Sequence, residues 1–389
     1  VTTAKIADDA VTTAKIADDA VTAAKIASGF QLGTIDAQNN TLLGSTAGDS
    51  FSGTDATANT LIGQGSGTAI TTGDNNTAIG RYSLRTNTTG SNNTALGRSA
   101  LDQATTGANN TAVGYNSLYA NTTASEMCAF GAEALMTSDT ETYNNAFGYQ
   151  ALKVANGGRF NTAIGWKCLK SLTTGDDNTG LGHDVMPSLT TGSLNTALGA
   201  NALYAITTGT QNTAVGSTAL DANTTGNFNT SVGRSSLGAN TTGVENTAVG
   251  CQALLNNTTA SYNTAVGNNA LVLNTTGVNN VAVGVSTLDA NTTGDYNVGL
   301  GSSALGANTT ASNNTAVGYA TLFANTTGGS NTAIGKSAGY GITTGNYNTA
   351  LGRSTLTGTC TGDSNTAVGY QALNTNTTGN NNIAVGPYC

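Results

Sequence analysis

A glycine recurs every 17 residues from Gly63 to Gly386, through Gly80, Gly97 and Gly114, without one insertion or deletion. Each glycine closes a short segment such as Asn110-Thr111-Ala112-Val113-Gly114, and the unit reads roughly N-T-A-V-G-x-x-A-L-x-x-N-T-T-G-x-N. An invariant period of this length is what a solenoid demands. Each coil stacks on the next, and one added residue breaks the hydrogen-bond register.

The constraint differs from position to position. Take the closing glycine as position 0. Position −1 is always large and apolar, as at Val113, and from Gly80 on position −2 is small, usually Ala. Position −4 is Asn, as at Asn110, with Met127 an exception. From Gly80 on, position +4 is Leu, as at Leu118, with Met186 and Gly339 the exceptions. The expectation is a coil with two large inward positions (−1 and +4), one close-packed small position and one fixed Asn. Glycine at 0 and at +10 fits corners that need positive φ. The Asn fits a stacked ladder or an Asx corner that satisfies backbone groups.

Composition agrees. The chain holds 71 Thr, 48 Asn and 51 Gly among 389 residues, and only 9% are charged. Asn-Thr-Thr-Gly every 17 residues stops any helix repeatedly. Low charge and two prolines are unlike a disordered tail. The expected fold is all-β: a parallel β-solenoid or β-roll of about twenty 17-residue coils. At a coil spacing of about 4.8 Å, twenty coils make a rod on the order of 95 Å long.

Two large apolar side chains per coil make a thin core. The always-small position implies another backbone close by. Both favour several chains sharing one core, and an elongated homotrimer is the expectation.

Residues 1–29 carry a second repeat, Val-Thr-Thr-Ala-Lys-Ile-Ala-Asp-Asp-Ala, twice intact and once altered. Its five-residue alternation of Val and Ile matches neither helical period. It reads as a stalk of short extended segments. Residues 30–62 form a connector with irregular first coils, including Asn40–Gly44, and 63–389 form the regular shaft. The chain starts inside a repeat and stops mid-coil at Cys389, so a longer parent chain is expected.

The 17-residue unit resembles the head repeats of trimeric autotransporter adhesins, at Asn110-Thr111-Ala112-Val113-Gly114 and its counterparts. The added Asn-Thr-Thr-Gly segment and fixed length depart from that pattern. Combined with the Thr-Ala-Lys-Ile-Ala-Asp stalk, the whole looks like a bacteriophage tail fibre. The resemblance implies a trimeric β-solenoid, other virion tail proteins at the N-terminal end, and a host-binding tip beyond the C-terminal end. It also implies folding in the host cytoplasm before assembly into the virion.

Chemistry is sparse. A net charge of −8 excludes a basic nucleic-acid face, and no apolar run is long enough to span a bilayer. The five cysteines form no CxxC pair or metal-ligand spacing. No P-loop or calcium-roll pattern occurs, and acidic residues show no coil-spaced pairing of the kind glycan hydrolysis needs. No catalytic residue, metal or cofactor is expected. Position +1 is the informative surface column. Coil stacking places Tyr149, Trp166 and His183 in one ladder, an aromatic strip suited to a host glycan or protein. The expected function is a virion fibre shaft that presents a host-binding tip. The alternative is a trimeric adhesin that binds along the rod. An ice-binding array is disfavoured, since adjacent threonines in a strand point to opposite faces.

Overall fold

A computed structural model describes residues 34–51, 55–139 and 143–389. The ten-residue repeat at 1–29 lies outside the described residues. The fold is an all-β parallel β-solenoid of 17-residue coils, and the described residues hold no helix. The chain divides into two compact units, 1–126 and 127–389. The division falls where Met127 replaces the asparagine at position −4.

The first unit contains β1 (Thr34–Ile35), β2 (Thr41–Leu43), β3 (Thr60–Ile62), β4 (Thr77–Ile79), β5 (Thr94–Leu96) and β6 (Thr111–Val113). β1 pairs antiparallel with β2. β2 joins β3 in parallel at a 19-residue offset, Thr41 opposite Thr60. From β3 onward the offset is 17, as at Thr94 opposite Thr111. The irregular first coil is thus a stacked coil with two extra residues.

The second unit runs from β7 (Cys128–Phe130) to β22 (Ile383–Val385), every strand three residues long. Register stays at 17 throughout. In β12 (Thr213–Val215) and β13 (Thr230–Val232), Thr213 faces Thr230 and Val215 faces Val232. Backbone bonds join successive coils outside the strands too: the Leu237 N–H donates to Ala253 O at 3.0 Å and the Ala239 N–H to Leu255 O at 2.8 Å. The first threonine of Asn-Thr-Thr adds a side-chain rung, Thr224 Oγ1 donating to Thr241 O at 3.1 Å.

The core differs from expectation at one position. Ala112 is fully buried, whereas Val113 beside it is only half-buried. Side chains alternate along a strand, so an inward Ala at −2 turns Thr at −3 and the large residue at −1 outward. The interior is filled instead by Leu118 and its counterparts, all fully buried.

The small position also has a source within the chain. A Cβ built at Gly180 would meet Cys168 Sγ, and one at Gly299 would meet Thr287 Cγ2 at 2.6 Å. Position −2 therefore packs against position +3 of the preceding coil and requires no second chain. The +10 glycines correct another expectation. They do not have positive φ; a Cβ on Gly209 would lie 2.7 Å from the Gly226 carbonyl oxygen, so close stacking selects them. The position 0 glycines do have positive φ, 138° at Gly216.

Left-handed backbone falls instead on ordinary residues. In one coil Thr218, Leu220 and Phe228 have φ of 54°, 53° and 58°. Leucine rarely adopts this region. Stacking holds it there, because each such N–H is bonded to a neighbouring coil, as Leu220 is to Ser236 O at 3.1 Å.

Candidate functional site

The asparagine at −4 forms the ladder its recurrence suggests. The backbone N–H donates to Oδ1 of the preceding Asn, and Nδ2 donates to the +10 carbonyl of its own coil and, in many coils, to that Oδ1 as well. For Asn246 these distances are 3.0, 2.9 and 3.2 Å. The side chain is fully buried, so these bonds satisfy groups that would otherwise be costly to bury. Asn110 takes part in the same way, donating from its N–H to Asn93 Oδ1.

A second ladder was missed from the sequence. Asn223, Asn240, Asn257 and Asn274 at position +7 are buried, and Nδ2 of each of the last three donates to the Oδ1 before it at 2.9–3.2 Å. Asn-Thr-Thr reads as turn composition, and that hid it. The signal was available: other coils carry Leu172, Leu189, Ile206 or Ile342 at this position, all fully buried.

The structure brings Tyr149, Trp166 and His183 together. Trp166 stacks on His183 with centroids 4.7 Å apart and planes 11° from parallel. Tyr149 stacks on Trp166 at 6.3 Å. Lys167 Nζ lies 3.9 Å from the Trp166 ring centroid, a favourable cation–π geometry. His183 Nδ1 lies 3.4 Å from Asp184 Oδ2, and the imidazole is largely exposed. These rings cover one another's faces. Trp166 presents chiefly its edge to solvent, although the residue is 39% exposed. Elsewhere the +1 column also pairs along itself: Arg98 lies over Tyr115, Lys336 over Tyr319 and Arg353 over Tyr370.

The outward −1 column forms a row of exposed and half-buried apolar side chains. Leu198 and Leu351 are 41% and 43% exposed, and Phe130 and Phe147 stack on each other at 6.1 Å. The column carries no charged residue. Contiguous exposed apolar surface of this kind marks an interaction face.

Burial raises the thiols of Cys128 and Cys360, and that of Cys168 to about 12. Buried thiols so protonated are inert. Among the described residues no three His, Cys, Asp or Glu side chains gather as a metal site, and no helix is long and apolar enough to cross a membrane. No protein-family model matches the chain, and no curated protein matches it.

Proposed function

We propose that this chain is a structural fibre, the shaft of a bacteriophage tail fibre. In this reading it assembles as a homotrimer, attaches to virion tail proteins at its N-terminal end, and spaces or presents a host-binding tip. Its role is mechanical rather than catalytic, and it acts outside the cell as part of the virion.

The outward apolar column at −1 carries the reading. A shaft needs an element that adds length without changing cross-section, and a lateral surface that sister chains cover. The unbroken 17-residue register from β7 to β22 supplies the first. Leu198, Leu351 and their counterparts supply the second. Electron microscopy of the purified chain tests it: slender particles of uniform width support a shaft, and compact or irregular ones overturn it.

A second reading is a trimeric surface adhesin that binds a glycan along its length. The clustering of Tyr149, Trp166 and His183 favours it. Because their faces are mutually covered, binding there would use ring edges and Lys167. Loss of glycan binding on Trp166→Ala supports this reading, and unchanged binding removes it.

A further inference from the structure

Position +12 is an exposed or half-buried corner, and between Leu194 and Asn313 its occupants alternate. Phe228, Tyr262 and Tyr296 are 52%, 52% and 58% exposed and recur every 34 residues. The coils between them carry Glu245 and Asn279. The alternation continues outward, with exposed Leu194 and then Gln211 before Phe228, and Asn313 after Tyr296. The +1 column shows no such superperiod.

The two-coil step has a physical consequence. Where +12 is aromatic in adjacent coils, at Tyr143 and Phe160, the rings stack at 5.2 Å and 3°, covering each other. Phe228, Tyr262 and Tyr296 are two coils apart, about 9.6 Å, too far to stack. None has an aromatic partner among the described residues. Each keeps more than half its surface exposed, and an open cleft of about 440 Å³ is lined by Phe228 and Glu245. Beside Phe228, Glu245 and Tyr262 an exposed threonine, Thr225, Thr242 or Thr259, lies three residues earlier.

We propose that this column is a binding track for an extended, β-linked polysaccharide of pyranose units. One ring meets the apolar face of every second sugar, and Glu245 and Asn279 bond hydroxyls of the sugars between. Two pyranose units of an extended β-1,4-linked chain span a length comparable to the two-coil step. Other polymers fit less well. Same-face residues of an extended peptide recur every ~6.8 Å. Nucleic acid is disfavoured by Glu245 in the track and by the net charge of −8. The track goes beyond the shaft reading and stands on coil geometry alone, so its failure leaves trimer assembly untouched and the converse holds.

The test is retention of the full chain on microcrystalline cellulose, on chitin and on amylose resin. The expected result is retention on one or both β-1,4-linked polymers, the two arms separating glucan from acetamido sugar, and none on α-linked amylose. Tyr262→Asn should reduce retention at least tenfold, and Tyr262→Phe should preserve it. Asn is the residue the next coil carries at this position, so the variant keeps the coil. Trp166→Ala should retain wild-type binding. Absence of retention on both β-linked polymers, or retention within twofold of wild type for Tyr262→Asn, overturns the proposal.

Discussion

Asn229 donates both its backbone N–H and its side-chain Nδ2 to one oxygen, Oδ1 of Asn212, at 3.0 and 3.2 Å. The same Nδ2 reaches Gly243 O at 2.9 Å, and Asn229 Oδ1 accepts both corresponding bonds from Asn246. One buried amide therefore joins three successive coils. The ladder fixes register, since a slipped coil would strand buried donors on both sides; the two extra residues of the first coil are accommodated with the Asn40–Asn59 rung intact.

Asn229→Ala should destabilise the coils around it by about 3 kcal/mol, because it strands the buried Asn246 N–H and removes one bond each from Asn246 Nδ2 and the Gly243 carbonyl. Asn240→Leu, at the other ladder, should lose under about 1 kcal/mol, since Leu is native there in other coils and adds buried apolar area. Hydrogen exchange of the flanking amides reads both, which suits a repeat fold whose coils open locally.

Glycines 0 and +10 should separate under the same substitution. Gly216→Ala places a Cβ 2.5 Å from the Gly233 carbonyl oxygen at a φ that L-residues rarely adopt, and should lose at least about 3 kcal/mol. Gly209→Ala meets its neighbour at 2.7 Å at an ordinary φ. Ala124, Ala260 and Ala311 already occupy that position, so the loss should stay near 1 kcal/mol. Urea midpoints of the two variants make the comparison.

Two native coils replace the Leu at +4 by Gly and carry Ile at +7: Gly67 with Ile70, and Gly339 with Ile342. A Cβ on either glycine would approach that Ile, at 2.9 and 3.1 Å. Leu237→Gly alone should lose about 3 kcal/mol, the cavity outweighing relief of its left-handed backbone. Adding Asn240→Ile should recover at least about 1 kcal/mol of it, read as coupling in a double-mutant cycle.

Two kinds of carboxyl should give opposite pH responses. Burial raises Asp221 and Asp289. Their native forms hold protons that the unfolded chain has lost, so stability falls as pH rises from near 3.8 through the raised values. Hydrogen bonds from Lys153 Nζ and Gln150 Nε2 lower Glu133. Its contribution is present above about 4.5 and is lost as pH falls through the lowered value. Asp221→Asn should thus stabilise at pH 7 and have little effect at pH 3, whereas Glu133→Gln should destabilise at pH 7. Thermal unfolding at both pH values checks the signs.

Much of this was readable from periodicity. Gly216, Asn229 and Leu220 recur because stacking, a buried amide and core volume each allow few substitutes. The side taken by Val113 was not readable. A three-residue strand alternates whichever face is inward, and hydrophobicity alone favours burying Val over Ala. Interior width decides otherwise, as the contacts at Gly180 and Gly299 show. Left-handed Leu220 carries no local signal either, because inter-coil bonds hold it. The contiguity of Tyr149, Trp166 and His183 followed from the period. That their faces close on one another needed the 4.7 Å stack.

The outward −1 column now bears the case for assembly that the small position cannot. Native mass measurement tests it most directly, on the wild type and on Val232→Glu with Val249→Glu, both outward on their strands. Wild type should have three times the 38.6 kDa chain mass. The double variant should fall to a single chain with its coil hydrogen exchange intact. A wild-type chain that stays monomeric at assembly concentrations contradicts the account.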